Sequence, residues 1–120
     1  MTEYFNHINS QAFVKSGADF KGIMGLSERV SNDVFLGDGV YSLWSRDIPD
    51  PVETGKAPGN NMYGTHPYYM GRSTDDSWFG VFTNLANAQD WYLKNFKDNG
   101  TVDITSYATG GVIDIFVMFG

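Results

Sequence analysis

Residues 87–119 read NAQDWYLKNFKDNGTVDITSYATGGVIDIFVMF, and the punctuation of this stretch decides the class of fold. Lys97-Asp98-Asn99-Gly100 separates two runs of strand-forming residues. Asn-Gly tolerates the positive φ of a tight turn, so between two such runs it signals a β-hairpin. Thr101 to Tyr107 is rich in β-branched side chains and reads as a strand. Thr109-Gly110-Gly111 closes it, and Val112 to Phe119 (VIDIFVMF) follows as a nearly continuous apolar run. That continuity predicts a buried strand. Asn87 to Asn95 stays open. Ala88, Trp91, Tyr92 and Phe96 would share one face of a helix, whereas Ala88, Asp90 and Tyr92 alternate with Gln89, Trp91 and Leu93 as in a strand.

Upstream, the same grammar repeats. Gln11–Lys15, Phe20–Arg29, Val40–Trp44, Tyr68–Arg72 and Trp78–Thr83 are predicted strands. Gly22 and Gly25 within the second of these suggest a bulge or a close backbone approach. Trp78–Thr83 (WFGVFT) has the composition of a buried central strand. Ser31–Gly39 and Ile48–Asn61 read as loops, the latter carrying Pro49, Pro51 and Pro58, and Ser73–Ser77 as a polar turn. Seven or eight short strands at this spacing predict an all-β, antiparallel β-sandwich occupying residues 1–120 as a single domain.

Composition narrows the function classes. An apolar fraction of 42% with 16% aromatics excludes disorder, and 120 residues suffice for one buried core. The net charge of −6, with only eight scattered basic residues, argues against a nucleic-acid partner, whose recognition needs clustered cations. Cysteine is absent, so disulfides and thiolate metal sites are excluded. His7 and His66 form no local zinc motif, and no cofactor motif is present. No apolar run has the length of a membrane-spanning helix, and MTEYFNHINSQ lacks the regions of a signal peptide. Asn99-Gly100-Thr101 is a glycosylation sequon only if the protein is secreted. The compartment is left open.

Chemistry concentrates in Leu43–Met70, LWSRDIPDPVETGKAPGNNMYGTHPYYM. Arg46 and Asp47 lie at the edge of a Pro/Gly-rich loop, beside Trp44 and followed by Tyr63, His66, Tyr68 and Tyr69. Surface aromatics beside a carboxylate suit a sugar, which offers apolar ring faces and hydroxyls. Equally, such aromatics plug the edge of a sandwich. Arg46 would pin Asp47 by a charge-assisted bond or stack on Trp44. His66, before Pro67, is expected to bond its own backbone. Glycoside cleavage needs two carboxylates about 5–10 Å apart. Glu28, Asp47, Asp50 and Asp114 are the candidates for such a pair, and Asp114, inside the last apolar run, is expected to satisfy a hydrogen bond to backbone or to an arginine.

Five ordered motifs then resemble glycoside hydrolase family 31, the α-glucosidase family. They are Gly25-Leu26-Ser27-Glu28-Arg29, Trp44-Ser45-Arg46-Asp47, Asn61-Met62-Tyr63-Gly64-Thr65-His66-Pro67, Phe79 to Asp90, and Thr109 to Gly120. Ser27 stands where the family usually has glycine, and Asn84-Leu85-Ala86-Asn87 replaces its Asn-Ser-Asn. The resemblance covers roughly residues 20–120 and implies the later part of an N-terminal, galactose-mutarotase-like sandwich, incomplete relative to the full family domain. It implies no catalytic residue here, because the family's nucleophile and acid lie on a (β/α)₈ barrel. It implies that Asp47, in the family's Arg46-Asp47 motif, hydrogen-bonds the hydroxyls of an α-glucoside or oligosaccharide, and Trp44, Tyr63 and His66 are the further candidate sugar contacts by residue type. The implied partners are the barrel of the same enzyme and that sugar; exposed edges left by missing strands favour a second copy, and no nucleic acid, membrane, metal or cofactor is expected. A free-standing carbohydrate-binding module and a self-associating structural domain are the alternatives.

Overall fold

The computed structural model describes residues 6–13, 20–30, 33–45, 47, 61–96 and 101–120. Eight strands occur in order: β1 (Asn6–Phe13), β2 (Phe20–Gly25), β3 (Gly39–Leu43), β4 (Tyr68–Ser73), β5 (Trp78–Thr83), β6 (Gln89–Phe96), β7 (Thr101–Ala108) and β8 (Ile115–Phe119). No helix occurs among the described residues. The strands form two antiparallel four-stranded sheets, β1-β7-β6-β3 and β2-β4-β5-β8, so the chain is an all-β sandwich.

The open segment resolves as β6. It is paired on both sides, by β3 and β7, and period-two alternation sends Trp91 and Leu93 inward while Tyr92 and Lys94 face water. β6 and β7 pair without a break from Gln89↔Ala108 to Phe96↔Thr101, the arrangement a hairpin requires. The Asn99-Gly100 turn itself lies outside the described residues. The β4–β5 turn is held by Ser73 N–H donating to Ser77 O and by Asp76 N–H donating to Ser73 O, with Asp76 at φ 61°. Asp75 Oδ1 accepts from both the amide and the hydroxyl of Ser77.

The core lies between the sheets. Ile23 and Tyr69 of the second sheet, with Leu26 just beyond β2, meet Tyr41, Leu43, Trp91, Leu93, Val102 and Ile104 of the first. Tyr69 packs edge-on against Trp91, with ring centroids 5.7 Å apart, and against Phe79 at 6.4 Å. Each such buried side chain contributes about 1.5–3 kcal/mol before entropy is subtracted.

Three expectations need correction. The last strand is Ile115–Phe119, not Val112–Phe119, and every one of its side chains is exposed. Continuous apolarity reports side-chain type and not cover. β8 is an edge strand paired only to β5, and Ile115, Val117 and Phe119 share the core side of the sheet with Thr83, Val81 and Phe79 yet stay exposed. β8 therefore overhangs the first sheet. The first strand begins at Asn6 and not at Gln11, its register being set by pairing along the whole of β7, while Val14 and Lys15 lie outside the described residues. β2 ends at Gly25 and does not run to Arg29, because Leu26 and Ser27 take positive φ (56° and 72°) and turn the chain away. The two glycines of this segment behave as expected. Register shifts between Phe20 and Gly22, and a Cβ on Gly25 would lie 2.6 Å from Tyr68 O.

Candidate functional site: an aromatic rim on a clamped corner

The Gly25–Arg29 corner holds the rim. Gly25 (φ 117°) allows the chain to pass against the Tyr68 backbone, where any side chain would clash. Leu26 accepts a left-handed backbone at a cost of about 1–2 kcal/mol, offset by complete burial in the core. From this corner three bonds reach the segment 61–68. Met62 N–H donates to Glu28 O (3.0 Å), His66 N–H to Ser27 Oγ (2.7 Å), and Leu26 N–H to Tyr68 O (2.8 Å).

Arg29 braces the same corner. Its Nε donates to Leu26 O at 2.9 Å and its Nη2 to Ser42 O at 2.5 Å, while the guanidinium lies 5.3 Å from the Tyr41 ring centroid. Burial pulls the Arg29 pKa down to about 10, which still leaves it protonated at neutral pH. Burial raises the Tyr41 phenol pKa, and the Tyr41 hydroxyl donates to Gly37 O (2.8 Å).

Asn61 is the residue that composes the rim. It is buried, and its Nδ2 donates to Trp44 O (2.9 Å) and to Tyr63 O (3.3 Å). One side chain thus ties the end of β3 to the 61–68 segment. Trp44 (60% exposed) and Tyr63 (39% exposed) turn their rings to solvent from this fixed backbone. His66 is also exposed, and it engages by its backbone: N–H to Ser27, and O accepting from Tyr68 N–H at 2.7 Å. The expected bond of the His66 ring to its own backbone is not among the bonds of this segment; a Cβ added at Gly64 would meet that ring at 3.5 Å. Asp47 is exposed. Arg46 and residues 48–60, including Asp50, lie outside the described residues, so the expected Arg46–Asp47 or Arg46–Trp44 contact does too.

The roles of Asn61 and Ser27 are not apparent from sequence, although both lie within the family-like motifs. An Asn flanked by turn residues was the available signal for the first. Asp114 bonds neither of the expected partners: its Oδ2 accepts from Asn84 Nδ2 (3.0 Å), and its carbonyl from Asn84 N–H (2.8 Å).

Beside the corner, on the side of the second sheet away from the core, lies an open depression of about 600 Å³. Met24, Ser27, Arg29, Leu36, Tyr68 and Met70 are among its walls. Trp44, Tyr63, His66 and Asp47 do not line it. Ser27 is the link, since it walls the depression and holds the His66 amide. No cluster of three or more metal-ligating side chains exists among the described residues.

The fold and site thus define an antiparallel β-sandwich that presents aromatic rings from a backbone held at one corner. No family model matches the chain. It is 32% identical over 99 residues to lysosomal alpha-glucosidase of Mus musculus, covering 82% of this chain and 9% of that protein. It is 38% identical over 80 residues to probable maltase-glucoamylase 2 of Homo sapiens, covering 67% of this chain and 3% of that one. It is 31% identical over 114 residues to an alpha-glucosidase of Schizosaccharomyces pombe, covering 82% and 10% respectively. The chain belongs to glycoside hydrolase family 31, and it spans only a small part of the length of these curated relatives.

Proposed function

We propose that this chain is the non-catalytic, N-terminal sandwich part of an α-glucosidase-like hydrolase, docking on the catalytic barrel and lending it a sugar-binding rim. The observation that carries this reading is the outer face of the second sheet. Strands of an open antiparallel sheet alternate apolar with polar, whereas β8 is apolar on both faces, β5 is so except for Thr83, and β4 carries a single charge, Arg72, on its outer side, a pattern closer to that of sheets covered on both sides. Met24, Tyr68, Met70, Trp78, Phe82 and Met118 make that outer face, opposite the core residues Ile23, Tyr69 and Val81. Phe82 stacks on Phe116 (6.0 Å), and Arg72 lies 5.0 Å from the Trp78 ring centroid. A catalytic domain is the cover that the relatives' names suggest.

On this reading Trp44, Tyr63 and His66 offer ring faces to a glucosyl unit, and Asp47, with Arg46 beside it, accepts hydrogen bonds from sugar hydroxyls. A charge-assisted hydrogen bond is worth about 1.5–3 kcal/mol. The test replaces the matched segment of the mouse enzyme with residues 20–120 of this chain. In the chimera, Asp47→Ala is expected to raise KM for maltose about tenfold with kcat little changed. A chimera that hydrolyses maltose with KM indifferent to both Asp47→Ala and Trp44→Ala overturns the rim role. Turnover of an α-glucoside by the pure 120-residue chain overturns the non-catalytic role.

A further inference from the structure

β8 is the outer strand of its sheet, and among the described residues no strand pairs with its free edge. Its sequence, Ile115-Phe116-Val117-Met118-Phe119, contains no charge, proline or glycine. Natural edge strands are blunted by Lys, Pro, bulges or inward charges, and β8 has none of these. Its side chains range from 39% to 86% exposed.

The backbone shows which groups are free. Gly120 and Trp78 exchange both hydrogen bonds, each at 3.1 Å. In an antiparallel ladder bonded and non-bonded pairs alternate. With the register Phe119↔Phe79, Met118↔Gly80, Val117↔Val81, Phe116↔Phe82 and Ile115↔Thr83, the main chains of Met118 and Phe116 face β5. Asn84 N–H donating to Asp114 O continues that alternation. Ile115, Val117 and Phe119 therefore direct N–H and C=O groups to the open side.

We propose that β8 pairs antiparallel with β8 of a second copy, with Val117 on the two-fold axis. Val117 then faces Val117, and Ile115 faces Phe119 in both directions, so that every outward N–H and C=O of the strand finds a partner. The register is self-complementary, as a two-fold interface demands. A charge on the axis would meet itself, and β8 carries none. The axis stands perpendicular to the sheet, so the core-side residues Ile115, Val117 and Phe119 of both copies meet in one strip between the two first sheets. This edge is distinct from the outer face invoked for the catalytic domain, and the proposal does not depend on that reading. The exposed side chains of β8 offer on the order of 400–500 Å² per copy, against about 800 Å² per partner in a standard stable interface. The smaller area predicts a dimer in reversible exchange with its monomer.

The chain has no cysteine, which makes crosslinking decisive. A hydrogen-bonded antiparallel pair places Cα atoms about 5.5 Å apart, within the range of a disulfide. Val117→Cys is expected to oxidise to a covalent dimer at least tenfold faster than Met118→Cys, whose cysteine would face Phe116 of the other copy. Sedimentation equilibrium is expected to show the 13.4 kDa chain in exchange with a dimer. Val117→Pro, which removes an outward N–H and no bond to β5, is expected to weaken that dimer at least tenfold. A monomer up to several hundred micromolar, equal crosslinking of the two cysteine variants, or an indefinite assembly overturns the proposal.

Discussion

The two sheets share strand number and antiparallel pairing, yet they treat their outer faces in opposite ways. In β1-β7-β6-β3 the outward positions include Ser42, Asp90, Lys94, Asp103 and Thr105, with Tyr92 and Tyr107 set edge-on at 5.3 Å. Ser42 Oγ donates to Asp90 Oδ1 across that face. This is the alternation of a sheet that meets water. In β2-β4-β5-β8 the outward positions are mostly methionine and aromatic side chains with one charge, Arg72, half-buried to exposed, and no further sheet covers them among the described residues. One sheet is finished by its own sequence. The other has the chemistry of an inner layer, and that difference carries the functional proposal.

The largest expected effect breaks what the two sheets have in common. Trp91→Ala removes the ring that meets Tyr69 across the core and is expected to cost about 3–5 kcal/mol, read from urea unfolding. A loss under about 1 kcal/mol would mean that the sheets do not depend on this contact. Next comes the corner of the second sheet. Gly25→Ala puts a Cβ against Tyr68 O at positive φ and is expected to cost about 2–3 kcal/mol and to speed amide exchange at Met62 and His66. Unaltered exchange there would detach the rim from the corner.

Smaller effects sharpen the account. Ser27→Gly relieves a φ of 72° but gives up the bond to His66 N–H. The two changes are each about 1 kcal/mol, so stability should barely move while His66 amide exchange accelerates. The smallest effect concerns acid. The hydrogen bond from Arg72, then the charges of Arg72 and Lys21, hold the Asp76 carboxyl below its ordinary value. Its stabilising contribution is present above the unfolded-state carboxylate pKa and is lost as pH falls through the lowered folded value. Asp76→Asn should flatten that part of the acid limb, and a carboxyl titrating at the ordinary position in NMR would contradict the pairing.

Much of the fold was legible because the turns are chemically explicit. Ser73–Ser77 precedes β5, Lys97–Gly100 separates β6 from β7, and β-branched residues mark β7. What stayed hidden depends on contacts between distant residues. Ala88 to Asn95 fits two periodicities, and only pairing with both β3 and β7 selects the strand. The apolar run ending at Phe119 looked buried because apolarity does not say whether a neighbour exists. At the rim, Trp44, Tyr63 and His66 were visible as residue types. The bonds that set them, from Asn61 Nδ2 and to Ser27 Oγ, depend on a backbone reversal at Leu26 and Ser27 that no side chain there advertises.

The central claim is that the outer face of the second sheet, and not that of the first, receives the catalytic domain. Calorimetric titration of the chain into the catalytic part of a family 31 α-glucosidase, deleted for its matched segment, tests it with a matched pair of variants. Phe82→Lys lies on the apolar outer face and Thr105→Lys on the polar one. The expected result is binding with a negative heat-capacity change, weakened at least tenfold by Phe82→Lys and unaffected by Thr105→Lys. Equal weakening by both, or by Thr105→Lys alone, would contradict the account.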